Sequence, residues 1–171
     1  MKLLISCTFI WLLLIGTAIA QEPSSEPVGN LAHVMRGILF PNSNVLFDVQ
    51  TQDPGAPPEE NAAEGGASSR FAGIYTGWSV VENSAVALAE VANLLMLPGR
   101  LCENGEPVPI DRENWGQFAR QLEEAGNAAL TAARAKDREL VSDVTNQVAD
   151  ACFYCHEAYR DVPGGNAERC K

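Results

Sequence analysis

Past residue 20 the chain has no apolar run long enough to cross a bilayer. Positive charge is scarce, with 12 lysines and arginines against 22 aspartates and glutamates and a formal net charge of -10. That field disfavours nucleic acid and anionic lipid surfaces as partners, and it speeds encounter with basic ones. Histidine is rarer still, limited to His33 and His156, and there is no second CxxC pair from which a zinc site could draw its remaining ligands. No stretch alternates as a half-buried strand does. We find no GxGxxG turn, P-loop, zinc-protease motif, Ser/His/Asp set or internal repeat, so the sequence gives no reason to expect an enzyme.

What is present begins with an export signal. Lys2 precedes an apolar run from Leu3 to Ile15, and Ala18-Ile19-Ala20 supplies small residues for cleavage before Gln21. Residues 1–20 are therefore expected to be removed and the remainder to be periplasmic or secreted. Cys7, near the start of the run, is too early for a lipoprotein cysteine and is signal filler. Cleavage removes one lysine and no acid, so the mature chain is more acidic still. Four cysteines remain, Cys102, Cys152, Cys155 and Cys170, in a compartment where disulfides persist. The chain is long enough for one domain, expected over 28–171 behind a flexible polar leader at 21–27.

Four helical segments follow. The first starts near Val28, with Leu31, Val34, Met35 and Ile38 three or four residues apart. Pro41 is expected to break it after Phe40, with Asn42 and Ser43 capping a short second piece that carries Val45, Leu46, Phe47 and Val49. Residues 51–69, rich in proline, acid and glycine, read as a long mobile connector. The second helix, within 71–97, has a stripe of Val81, Ala85, Leu88, Ala92 and Leu95 and is closed by Pro98-Gly99. Asp111 is expected to cap the third, whose seam is Trp115, Phe118, Leu122, Ala125, Ala129 and Ala132. Asp137 opens the fourth, with Leu140, Val144, Val148, Cys152, Cys155 and Tyr159 on one face. The expected fold is all-α, an antiparallel four-helix bundle in up-down-up-down order, with its one long loop between the first and second helices.

The chemistry lies in Cys152-Phe153-Tyr154-Cys155-His156, the CxxCH pattern in which two thiols add to haem vinyl groups and the adjacent imidazole ligates iron. On a helix at roughly 100° per residue, His156 lies about 40° to one side of Cys152 and Cys155 about 60° to the other, so all three share a face. The expected cofactor is one covalent haem c. Other readings are a redox dithiol, a zinc site and a structural cysteine pair. The first lacks the βαβ context and the helix N-terminus that activate such thiols; the second lacks a paired motif.

The stretch AARAKDRELVSDVTNQVADACFYCHEAYR, ending at Arg160, resembles the last helix of the cytochrome c prime group, the class II c-type cytochromes. The segments LAEVANLLMLPGR and HVMRGILFPNSNVLF resemble secreted cytochromes related to that group. The resemblance implies a four-helix bundle, His156 as proximal iron ligand, and Arg160 near the haem or its propionates; a solvated helix-terminal arginine is the other reading of Arg160. The chain departs from the group at Pro41 and in its long acidic connector.

Among the aromatics, Trp78, Trp115, Phe153, Tyr154 and Tyr159 are candidates for the haem wall or ordinary core, with Tyr159 and Trp78 preferred for the wall. His33 falls about 200° from Leu31 and faces outward. If the first helix lies antiparallel to the fourth, Met35 comes near His156 as a distal ligand, or as packing above the iron. With Cys152 and Cys155 used by haem, Cys102 and Cys170 form an even pair and a disulfide is expected. The leading function is electron transfer to or from a redox partner with a basic docking surface, rather than catalysis. A five-coordinate haem protein binding nitric oxide or carbon monoxide is the alternative, and a homodimer is left open.

Overall fold

The computed structural model describes residues 26–57 and 76–171. The expected signal at 1–20, most of the leader and most of the acidic connector lie outside the described residues. Those described are helical, with no strand among them beyond an isolated bridge between Leu101 and Pro107.

The chain enters helix α1 (Leu31–Val34) at Asn30, not at the fully exposed Val28. The Asn30 side chain accepts the His33 amide hydrogen while His33 Nδ1 accepts that of Asn30, so two amides with no helical acceptor are satisfied reciprocally. The expected break at Pro41 does not occur. A π-helical segment, Met35–Leu39, runs directly into α2 (Phe40–Asp48). Proline lacks an N–H, and in a straight α-helix its ring would meet the carbonyl four residues earlier. The wider turn, in which the Phe40 amide reaches back to Met35 O, accommodates the ring without ending the helix. Asn42 and Ser43 do not cap. Their side chains donate backward, to Ile38 O at 2.7 Å and Phe40 O at 3.0 Å.

Helix α3 (Gly77–Leu95) buries Val81, Ala85, Leu88, Ala92 and Leu95 as its periodicity predicts. Helix α4 (Glu113–Ala135) buries its seam also, apart from the half-buried Phe118, but Arg112 occupies the N-cap and Asp111 does not cap. The two helices run in opposite directions. Trp115 Nε1 donates to Leu95 O at 3.1 Å, Gly126 lies against Ala89, and Arg134 meets Glu82 at 4.0 Å. Lys136, in the left-handed region with φ 55°, turns the chain, and the Asp137 carboxylate accepts the Leu140 amide to start α5 (Arg138–Tyr159). Val141, not the exposed Leu140, begins the buried stripe of α5, because the cap places Leu140 on the outer side of the first turn.

Long-range polar contacts tie the ends together. Arg138 donates to Val49 O and Gln50 O, satisfying carbonyls at the end of α2, and the Gln50 side chain donates to Thr145 on α5. Buried Arg100 donates to Gly29 O and Leu94 O, clamping the start of the described chain to the end of α3. A disulfide joins Cys102, between α3 and α4, to Cys170. The tail behind it returns over the end of α5, where the Cys170 amide donates to Tyr159 O.

Two glycines in α4 predict opposite outcomes. A Cβ at Gly126 would stand 2.5 Å from Ala89 N and 2.9 Å from its Cα, so the helices must move apart. Gly126→Ala should cost about 1–3 kcal/mol by overpacking. At Gly116 the nearest neighbour is the end of the flexible Arg120 side chain at 3.4 Å, so Gly116→Ala should be neutral or stabilise by about 0.5–1 kcal/mol. Thermal unfolding of both variants checks the pair. The disulfide closes a span of 68 residues, which the chain-entropy relation values at about 4 kcal/mol. Alkylating the unfolded, unreduced protein should leave Cys102 and Cys170 unlabelled, and a Cys102→Ala/Cys170→Ala variant should melt lower.

Candidate cofactor site

Towards one end, the helices leave a cavity of about 630 Å³, within the range of small-molecule and cofactor sites. Its walls come from the helical run 31–48, the end of α3, the first half of α4, the last turns of α5 and the tail around Cys170. Leu31, Leu39, Phe47, Trp115, Phe118 and Leu122 make much of the lining apolar.

The α5 wall carries Cys152, Cys155 and His156, the three side chains that the spacing placed on one face. Both thiols are free and half-buried. Burial pushes the Cys152 thiol up, opposed by Arg160, and pushes Cys155 up to about 12, with Cys152 adding to the effect. Such thiols supply little thiolate at neutral pH, unlike the exposed, activated cysteine of a dithiol oxidoreductase. Burial, followed by the nearby Arg160 guanidinium, also lowers the His156 pKa. The imidazole is therefore neutral at pH 7, the form that ligates metal. Among the described residues neither of its ring nitrogens has a hydrogen-bond partner, and no group of three or more histidine, cysteine, aspartate or glutamate side chains is placed to hold a metal ion by itself.

The other predicted residues divide. Met35 lines the cavity from the π segment, while His33 is exposed. Tyr159 lines it and is buried; its hydroxyl donates to Asn114 Oδ1 at 2.6 Å, and its ring meets Trp115 edge-on at 5.0 Å. Trp78 packs on the core but does not line the cavity, and Phe153 and Tyr154 are exposed on the far side of α5. The aromatic wall is instead Trp115, Phe118 and Tyr159 from α4 and α5, with Phe40 and Phe47 from α2. Arg160 reaches the lining and is held by Asp161 through two hydrogen bonds, at 2.8 and 2.7 Å.

Sequence reasoning missed Arg36, Glu103 and Arg169, which also line the cavity. Arg36 donates to both Glu103 carboxylate oxygens, at 2.8 and 3.2 Å, and Arg169 approaches Glu103 at 3.7 Å. The Arg36 hydrogen bond and charge hold the Glu103 carboxyl below its ordinary range. The signal for these residues lay in neighbours already chosen. Arg36 follows Met35, Arg169 precedes Cys170 and Glu103 follows Cys102, so each stands beside a residue singled out in the sequence, while their meeting depends on tertiary folding.

Among the described residues no helix is long and apolar enough to cross a membrane. The chain matches no protein-family model, no curated protein and no solved structure.

Proposed function

We propose that the chain is a periplasmic or secreted monohaem c-type cytochrome of the cytochrome c prime kind, an up-down-up-down four-helix bundle that carries electrons through one covalent haem. One observation carries the reading: Cys152, Cys155 and His156 line the same largely apolar cavity from a single helix turn, with both thiols free. The opposed directions of α3 and α4, and the contacts from the end of α2 to the start of α5, support the bundle order.

Each residue then has a task set by its chemistry. Cys152 and Cys155 anchor the porphyrin through thioethers, and His156 offers a neutral ring nitrogen to iron. The haem supplies a reversible one-electron change at its iron. Trp115, Phe118, Tyr159 and the leucines exclude water, and a dry, low-dielectric wall is one of the levers on potential. Tyr159 is kept in place by Asn114 and by Arg112, whose guanidinium lies 5.9 Å from the ring centroid. Met35, in the same lining, would offer the iron a thioether as a further ligand. Arg36, Arg160 and Arg169 give the lining a cationic sector suited to carboxylates such as propionates.

Mass spectrometry of the denatured, processed protein should show the peptide mass plus one haem. Haem extracted by acid acetone, or bound zinc without haem, overturns the reading. Replacing Met35 by Leu should convert a low-spin spectrum to high-spin and open the iron to carbon monoxide. An unchanged spectrum assigns Met35 to packing, and a wild-type iron that is already five-coordinate and binds carbon monoxide favours the gas-binding alternative.

A further inference from the structure

The two residues between the haem-motif cysteines have no role in the cavity. Phe153 is 58% exposed and Tyr154 is 50% exposed, and their rings meet edge-on with centroids 5.4 Å apart. On the helical wheel Glu139, Asp143, Asp150 and Glu157 fall within roughly 40° of one another, and the two rings stand about 50° to either side of that line. All four acids are exposed, and α5 carries no lysine or arginine between Glu139 and Tyr159. The guanidiniums at its ends are engaged, Arg138 by the carbonyls of Val49 and Gln50 and Arg160 by Asp161. The outer face of the motif helix is thus an uncompensated acidic stripe with an aromatic pair set across it.

We infer that this face is the docking surface for a redox partner that presents lysines or arginines, with Phe153 and Tyr154 as the apolar contact and Asp143, Asp150 and Glu157 as the steering charges. The inference rests on the electron-carrier reading. Charge selects the occupant. A second copy of this chain brings the same acidic face and a net charge of -10 into contact with itself, and nucleic acid or anionic lipid is repelled in the same way. A basic protein surface is attracted, and aromatic side chains are favoured at the dehydrated centre of such an interface. Docking here brings the partner to the helix turn that carries Cys152, Cys155 and His156, one helix thickness from the cavity.

The test is titration of nitrogen-15-labelled, processed holoprotein with a lysine-rich mitochondrial cytochrome c as probe, at an ionic strength of about 10 mM, where screening is weak. We expect amide shifts centred on 150–157. Asp150→Lys/Glu157→Lys should weaken binding about tenfold, while a reversal of equal net charge on other helices, Glu90→Lys/Glu123→Lys, should leave most of it. Phe153→Ser/Tyr154→Ser should weaken binding without changing its salt dependence. Equal weakening by both reversals, shifts centred elsewhere, or no binding overturns the surface. So does a sedimenting dimer that the Phe153→Ser/Tyr154→Ser variant disperses, since the occupant is then a second copy. The titration reads binding directly, so a chain found to carry no haem removes the electron-carrier reading while the shift map still judges the surface.

Discussion

The close approach of α3 and α4 at Gly126, against the backbone of Ala89, organises the rest of the structure. Around it the α4 seam is made of small buried residues, Ala125, Ala129, Ala132 and Ala133, which let neighbouring backbones come near and share one core with Val81, Ala85, Val141 and Val144. Towards the N-terminal half of α4 the seam changes to Trp115, Phe118 and Leu122, and there the helices enclose the cavity. Small buried side chains thus line one half of α4, while the structure is hollow beside the other. Side-chain volume along one helix sets the difference, and the motif turn of α5 lies at the hollow end.

Charge is distributed as unevenly as volume. The protein is acidic overall, yet three of its 12 basic residues, Arg36, Arg160 and Arg169, reach the cavity lining. Two of these guanidiniums converge on Glu103, whose carboxylate stands beside the disulfide cysteine Cys102. Asn104 donates to Asn166 O and Arg169 O, adding neutral bonds between the same loop and the tail. The disulfide brings tail and loop together, and the polar contacts orient arginine heads that surface ion pairing alone would leave mobile. The inner sector and the outer stripe of α5 thus carry opposite sign, which suits a proposed cofactor with anionic edges inside and a cationic partner outside.

Much of this was legible in the sequence because it depends on short-range periodicity. The spacing of Cys152, Cys155 and His156 fixes their common face whatever the rest of the chain does, and the stripes of α3 and α4 were readable for the same reason. Where competing local rules meet, reading was harder. Pre-proline sterics argued for a break at Phe40, but a helix can also widen, and the choice depends on what the following residues gain by remaining helical. Asp111 is a good N-cap by type, yet the chain enters α4 one residue later. Leu140 and Val141 are both apolar, and only the cap at Asp137 decides which faces inward. The cationic lining was the least legible part, because Arg36, Glu103 and Arg169 meet only through tertiary folding.

The π segment has a consequence for register. A turn closed by a bond to the fifth preceding residue contains one residue more than an α turn, so everything before it is rotated by about 100° relative to an uninterrupted helix. Met35 and Arg36 lie at the start of this segment and Phe40 and Phe47 lie after it, yet all four reach the cavity. The wide turn brings two otherwise divergent helix faces onto one lining. Gly37, where an added Cβ would meet nothing within 4 Å, sits within that turn. Closing this turn as ordinary α-helix with every residue kept would set Met35 and Phe47 about 120° apart and turn Met35 away from the lining, so helical phase at this turn controls which side chain the first helical run presents over the site.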